Sequence, residues 1–213
     1  MPAMRLVAPS SDAVSRIRRL GLTDADVEYV GLAMLEGAAA AHPLGVKAEA
    51  GSRRWFAGVS ALGDRKVPEG WSREGDLEGI TNPDRTLAIV VTQGDSGVGI
   101  LTQDVRARRR RGTITVARVQ SNGVQLGFDG FELPVQSDRP PVLWMLLHFT
   151  GQGILRLELS LPRSIADNGR VIDWAERIPL GSFGYGDSDD TLTFLDGVTP
   201  PPGLAPIRLV PKA

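Results

Sequence analysis

The densest cluster of charge in this 213-residue sequence is a short arginine-rich segment. Five guanidinium groups fall within six positions, at Arg106, Arg108, Arg109, Arg110 and Arg111. Such a segment can neutralise several phosphate groups, which makes nucleic-acid binding strongly dependent on salt. Against this hypothesis, only three of the 24 basic residues are lysines, no aromatic side chain is interleaved to stack on bases, and charge runs are usually solvated loops. We expect the segment to contact nucleic acid or a nucleic-acid-processing partner.

A second candidate is a serine in a glycine-containing turn. Gly94-Asp95-Ser96-Gly97 reproduces the tetrad around the nucleophile of chymotrypsin-like proteases, and His42 lies upstream of it. Those enzymes bring their histidine and serine together from two β-barrels, whereas only 54 positions separate His42 from Ser96. The same glycines could present backbone N–H groups to a phosphate, but no lysine follows them. The sequence favours an ordinary turn at the end of a strand.

Acidic residues offer a metal-dependent alternative. With two histidines and no cysteine, a metal site would have to use carboxylates and would suit Mg²⁺, Mn²⁺ or Ca²⁺. Asp84 precedes a predicted strand, as in the PD-(D/E)xK nucleases, but the position two residues after Glu158 is not the expected lysine. The alternative function is a hydrolase of the serine or nuclease-like type. It would use residues that must converge in one pocket: Ser96, His148, Asp84, Asp95 and Glu158. We expect no cofactor.

The N-terminal part of the chain is predicted to be helical. One short helix is expected at residues 11–20, and a second from Asp24 to about Ala41, with Thr23 as its N-cap and acids in its first turn. Apolar residues between Trp55 and Leu62 fit a third helix. Glycines and a proline indicate an irregular connection after it, which Trp71 is expected to anchor to the core.

The rest of the chain is predicted to form strands. Residues Leu87 to Thr92 are a β-branched apolar run, which indicates a buried strand. Residues Thr113 to Val119 favour a strand, although a short helix also fits. The runs Val142 to Phe149 and Ile154 to Leu161 flank a glycine-containing loop and predict a β-hairpin. A further antiparallel strand is expected after the turn at Gly169.

The predicted hairpin has two different faces. If Phe149 lies opposite Ile154, then His148 and the leucines of the second strand share an apolar core face, since side chains alternate along a strand. This position favours a structural histidine over a general base. The opposite face carries Met145 and Leu147 beside Arg156 and Glu158, so it is either solvated or covered by an amphipathic helix.

Composition narrows the class of protein further. The net charge of −1 gives no general attraction to nucleic acid or lipid, so any such binding must be local. The absence of cysteine suits a reducing cytoplasm, and we expect neither a secretion signal nor a membrane span. Residues 1–198 are predicted to form a single α+β domain, followed by a proline-rich tail at 199–213.

Three groups of residues in the second half resemble the C-terminal signature of a family of uncharacterised bacterial proteins. They are Trp144-x-Leu146-Leu147, Glu158-Leu159-Ser160-Leu161-Pro162 and Gly169-x-Val171-x-x-Trp174-x-Glu176-Arg177-Ile178. The Thr92-x-Gly94-Asp95 loop and the Gly70-Trp71 pair are also similar to that family. The resemblance covers much of the chain from about Trp55 to Ile178 and implies a bacterial origin, but it implies no activity, cofactor or site.

Together these patterns predict an α+β fold in which N-terminal helices pack on a mainly antiparallel sheet of about five strands, with a central β-hairpin. No set of residues combines nucleophile, base and orienting group in a believable order. We therefore expect a non-enzymatic binding or accessory protein that acts through nucleic acid or an unknown protein partner, and not at a membrane.

Overall fold

The computed structural model of the protein describes residues 4–46, 48–74, 77–108, 110–126, 140–151, 153–166 and 169–185. These residues form four α-helices and seven β-strands. The helices are α1 (Ser11–Arg19), α2 (Asp24–Ala39), α3 (Glu49–Lys66) and α4 (Thr113–Leu126). The strands are β1 (Met4–Val7), β2 (Ser72–Glu74), β3 (Gly79–Thr81), β4 (Leu87–Gln93), β5 (Val142–Gly151), β6 (Ile154–Ile165) and β7 (Val171–Tyr185). The predicted tail at 199–213 lies outside the described residues.

All seven strands belong to one sheet, in the order β1-β7-β6-β5-β4-β3-β2. Neighbouring strands are antiparallel except β4 and β5, which are parallel and therefore need a crossover connection. The predicted α+β class, with N-terminal helices on a mainly antiparallel sheet, is confirmed. The expected number of strands was too low, because β1, β2 and β3 are three or four residues long and carry no clear period-two pattern.

Helices α1, α2 and α3 pack on one face of the sheet, which we call the helical face. Ile17 of α1 and Met34 of α2 share this core with Ile89, Leu157 and other buried strand residues. Apolar burial of this kind is the main stabilising contribution to a domain. The predictions of three N-terminal helices and of a buried strand at Leu87 are therefore confirmed.

A buried ionic cluster fixes the ends of α2 and α3. Thr23 and Asp26 form a capping box, in which the Asp26 N–H donates to Thr23 Oγ1 (3.1 Å) and the Thr23 N–H donates to Asp26 Oδ2 (2.9 Å). Burial alone would raise the pKa of Asp26, but hydrogen bonds from Arg65 and Thr23 hold it below its usual value. Lys66, which is buried beside Asp26, lies 5.6 Å from the ring centroid of Trp71. The predicted cap and the anchoring of Trp71 are both confirmed.

The opposite face of the sheet, which we call the loop face, is covered by α4 and by the segment between Gly94 and Arg108. The predicted strand at Thr113–Val119 is wrong, because these residues begin α4. Val119 is fully buried, and Asn122 one turn later bonds the backbone N–H and carbonyl of Leu143 and the carbonyl of Pro162. The crossover between parallel strands and these tertiary contacts outweigh the strand preference of the β-branched residues.

The predicted β-hairpin is present as β5 and β6, but with a different register. Gly151, not Phe149, lies opposite Ile154, so the strands extend further toward the turn. Because the shift is two residues, the predicted faces are unchanged. Leu146 and Leu157 belong to the helical-face core, whereas Met145 and Leu147 belong to the core of the loop face.

Candidate nucleic-acid interface

The arginine-rich segment begins as part of the connection that leaves β4 and lies against the loop face. The Gly94 N–H donates to the His148 carbonyl (2.9 Å), and Gly94 forms an antiparallel bridge with Ala107. The Arg108 N–H donates to the Gln93 carbonyl (2.9 Å), and the Ala107 N–H donates to the Val171 carbonyl (3.3 Å). These bonds fix the backbone from Ala107 to Arg108 between the end of β4 and the start of β7.

Side chains alternate between core and solvent along this segment. Val105 and Ala107 are buried in the core of the loop face, whereas Arg106 and Arg108 are exposed, and so is Arg110. Within the part of the chain that the structure describes, no ion pair or hydrogen bond engages these three guanidinium groups. Arg109 lies outside the described residues. The local structure therefore directs charge outward from a backbone that is held in place.

A buried glutamate and a partly buried arginine hold the connection against the sheet. Glu158 is fully buried on the loop face, and its carboxylate accepts from Arg177 Nε (2.7 Å) and Nη2 (2.9 Å). It also accepts from the Gly99 N–H (2.7 Å) and from Ser160 Oγ (2.6 Å). Four donors thus saturate the carboxylate, which leaves Glu158 a structural role.

Further side chains from the sheet bind the carbonyl groups of the same connection. Arg177 donates to the carbonyls of Gly97 (3.0 Å), Ile100 (3.3 Å) and Gln103 (2.7 Å). Two more side chains bond carbonyl groups nearer the two ends of the connection. Arg156 Nη2 donates to the Ser96 carbonyl and Trp174 Nε1 donates to the Val105 carbonyl, each at 2.8 Å. A long connection without regular structure is therefore fixed by side chains of β6 and β7.

The fold brings a distant arginine to the segment. The Arg111 N–H donates to the Gly169 carbonyl (2.7 Å), and Gly169 has a positive φ of 73°, which favours glycine at this turn. A Cβ atom built on Gly169 would lie 3.6 Å from the Arg110 Cβ, so the exposed Arg170 sits beside the segment. We call the surface formed by Arg106, Arg108, Arg110, Arg111 and Arg170 the arginine surface. Sequence reasoning missed Arg170, since no pattern indicates contact across 59 positions.

Helix α4 adds to the positive potential of the arginine surface. It begins at Thr113, two residues after Arg111, so its positive end faces the same region. One nearby acid is engaged locally, since Asp95 Oδ1 accepts from the Gly97 N–H (3.1 Å) in the preceding turn. An anion approaching this surface would meet the guanidinium groups of the arginines and, in addition, the positive end of the α4 dipole.

The residues of the hydrolase hypothesis are not brought together. Asp84 lies before β4 and Asp95 lies after it. A strand of seven residues is about 20 Å long, so the two aspartates lie at opposite ends of β4. His148 and Glu158 lie on opposite faces of the sheet, as the alternation of buried residues around them shows. His42 is exposed after α2, where its Nδ1 accepts from the Leu44 N–H (3.1 Å).

The tetrad around Ser96 has a structural explanation. It forms the turn that follows β4, as the sequence predicts, and Ser96 is exposed. A Cβ atom on Gly97 would lie 2.1 Å from the Asp104 carbonyl oxygen, so only glycine fits there. The glycine spacing therefore reflects close packing of the connection rather than a nucleophile.

His148 has the most perturbed environment of the candidate residues. It is 1% exposed, and burial together with the nearby charge of Arg54 lowers its pKa to about 4. The imidazole is therefore neutral at physiological pH. Asp95 and Glu158 bond within the loop-face connection, and Asp84 lies before β4, at the far end of that strand from Gln93, which pairs with His148. His148 is therefore left without the partners of a catalytic base.

Two classes of site find no support in the described residues. They contain no group of three or more histidine, aspartate or glutamate side chains placed to hold a metal ion. None of their helices combines the length and apolar character needed to cross a bilayer.

The fold and the site define an α+β protein whose single sheet is covered on both faces and whose loop face ends in an arginine surface. No protein-family model, curated protein or solved structure matches the chain. The resemblance to a bacterial family through the Trp144, Glu158 and Gly169 motifs therefore stays a prediction.

Proposed function

We propose that this is a non-enzymatic nucleic-acid-binding protein that contacts phosphate groups through its arginine surface. One observation carries the proposal: Arg106, Arg108 and Arg110 are exposed, have no acidic partner among the described residues, and project from a segment whose backbone is bonded to the sheet. Arginine suits phosphate because its planar group donates in two parallel bonds.

The geometry favours contact with the backbone of a nucleic acid over reading of its sequence. Side chains at alternate positions of an extended segment lie about 7 Å apart on one side, so Arg106 and Arg108 can reach successive phosphates. Trp174, the aromatic residue bonded to this segment, lies beneath it with its indole N–H on the Val105 carbonyl and is not presented for base stacking. We therefore propose binding that depends little on sequence and strongly on salt.

The setting of this activity follows from composition. Because the net charge is −1, attraction is confined to the arginine surface, and affinity at physiological salt is modest. The lack of cysteine and of a membrane-spanning helix in the described residues supports action in the cytoplasm. An accessory protein of this kind would assist a nucleic-acid-processing partner rather than carry out the chemistry itself.

The test is fluorescence anisotropy with labelled duplex and single-stranded oligonucleotides over a series of salt concentrations. For an R106Q/R108Q/R110Q variant we expect weaker binding and a log K against log salt slope that is reduced by up to about 3, since each phosphate contact contributes about 0.9. The matched control, R18Q/R19Q/R53Q, removes three exposed arginines from the helical layer. An equal loss in both variants, or binding that neither changes, would refute the proposal.

A further inference from the structure

A second polar cluster lies on the helical face, on the other side of the sheet from the arginine surface. It consists of Arg54 on α3 and of His148 and Thr150 on β5. His148 and Thr150 are two positions apart on one strand, so their side chains share a face. Two contacts place α3 beside this part of β5. The residue after Arg54, Trp55, donates from its indole Nε1 to the Val91 carbonyl (2.9 Å), and His148 lies opposite Gln93, two residues further along β4.

The cluster concentrates polar atoms that lack partners. Among the described residues, four buried atoms there have no hydrogen bond: Arg54 Nε, both ring nitrogens of His148, and Thr150 Oγ1. Most buried polar groups in proteins are hydrogen-bonded, and leaving one unpaired destabilises the native state. Three neighbouring side chains with the same deficit indicate a shared missing partner.

The charge of the cluster indicates what that partner is. Arg54 is half-buried, and burial lowers its pKa, yet an arginine side chain stays charged. No ion pair neutralises it in the described ranges, and Glu49, an acid on the same helix, is bonded to Arg53 Nε (2.7 Å). Arg54, Thr150 and neutral His148 can all donate hydrogen bonds, so the cluster suits an acceptor that carries negative charge.

We propose that Arg54, His148 and Thr150 form a binding site for a small oxyanion, either a phosphate or a carboxylate group. Arg54 supplies the charge and its N–H donors, Thr150 donates from its hydroxyl, and His148 donates from one ring nitrogen. The buried Nε of Arg54 and the imidazole of His148 form the inner part of the site. Of the Arg54 nitrogens, only Nε is among the buried atoms that lack a hydrogen bond. The site is independent of the arginine surface, from which the sheet separates it.

Thermal unfolding at constant ionic strength tests this site, with inorganic phosphate, sulfate or acetate replacing chloride. A ligand that binds the native state raises Tm as its concentration rises. We expect such a rise in a protein that already carries R106Q/R108Q/R110Q, so that the arginine surface makes no contribution. The choice between phosphate and acetate identifies the class of oxyanion.

Arg54→Gln in this background should weaken the anion affinity roughly tenfold or more, because a charge-assisted bond is lost. Arg53→Gln is the matched control, since Arg53 precedes Arg54 on α3 but faces solvent beside Glu49. A rise in Tm that is the same with R54Q as with R53Q, or no rise with any of the three anions, would overturn the proposal.

Imidazole resonances in NMR provide a second measurement that needs no substitution at the site. The sequence contains two histidines, and the exposed His42 serves as an internal control for the buried His148. We expect the anion that raises Tm to shift the His148 resonances in a saturable way and to leave those of His42 unchanged. Unchanged His148 resonances would contradict the site even if the R54Q variant does not fold.

Discussion

On the helical face of the sheet, apolar side chains from three helices and five strands form a continuous core. On the loop face, the buried Glu158 and its partner Arg177 organise an irregular connection. Apolar packing has no directional requirement and tolerates many arrangements. A saturated ion pair tolerates few, because each carbonyl and N–H of the connection must reach its partner. The helical face therefore contributes the larger apolar core, and the loop face fixes the position of the arginine surface.

The largest expected effect comes from breaking the ion pair of the loop face. Glu158→Ala should lower the free energy of unfolding by about 3–5 kcal/mol, since it removes the carboxylate that pairs with the partly buried Arg177 and leaves the Gly99 N–H and Ser160 hydroxyl without their acceptor. Urea denaturation measures this cost. The control is Glu176→Ala, which breaks a more exposed pair on the helical side, between Glu176 Oε1 and Arg16 Nη2 at 2.6 Å. That change should cost about 1 kcal/mol or less. An equal loss of unfolding free energy in Glu158→Ala and Glu176→Ala would show that the ion pairs of the two faces contribute alike.

Acid should destabilise the protein through protonation of His148 on the helical face. Its pKa is about 4 in the folded protein, below the ordinary value of 6.5, so the folded state binds protons less readily than the unfolded state. The resulting stability is fully present above pH 6.5 and is lost as pH falls toward 4, to a total of about 3 kcal/mol. Denaturation curves at several pH values should show this loss, and His148→Phe should flatten it. A profile that is unchanged in the variant would refute the assignment.

A smaller effect is expected from overpacking the contact between α2 and the sheet. A Cβ atom on Gly31 would lie 2.4 Å from Phe183 Cζ, so Gly31→Ala should destabilise the protein by about 1–3 kcal/mol. Adding Phe183→Leu should recover part of this loss. In contrast, Gly51 of α3 has open space around it, and Gly51→Ala should stabilise by about 0.5–1 kcal/mol. Thermal unfolding of these variants tests the packing argument. Changes in stability of the same sign for Gly31→Ala and Gly51→Ala would contradict it.

The two faces also differ in how well the sequence predicts them. On the helical face, helix caps such as Thr23 and the alternation along β5 and β6 are local signals, and the predictions from them hold. The hairpin register was wrong by two residues, because the glycine-containing loop does not by itself set where pairing ends. An even error preserves the faces, which is why the predicted core survived it.

On the loop face, the decisive contacts join residues far apart in the chain. Thr113 to Val119 have strand-like side chains, and only their packing on β5 and β6 makes them helical. Glu158 could be placed on a half-polar face, but its partner Arg177 depends on bulges in the pairing of β6 with β7. Arg170 likewise joins the arginine surface through a turn. Of the candidate site, the sequence predicts the charge of the segment but not the framework that presents it.

The two outermost strands of the sheet have a consequence for the behaviour of the protein at high concentration. Within the described residues, β1 has four residues and β2 has three, and β2 carries the exposed Arg73. Strands this short offer few free backbone groups to a second chain, and a charged side chain at an edge, such as that of Arg73, opposes pairing with another copy. The described part of the β2 border is thus a poor template for strand addition, which favours resistance to fibril formation through that edge.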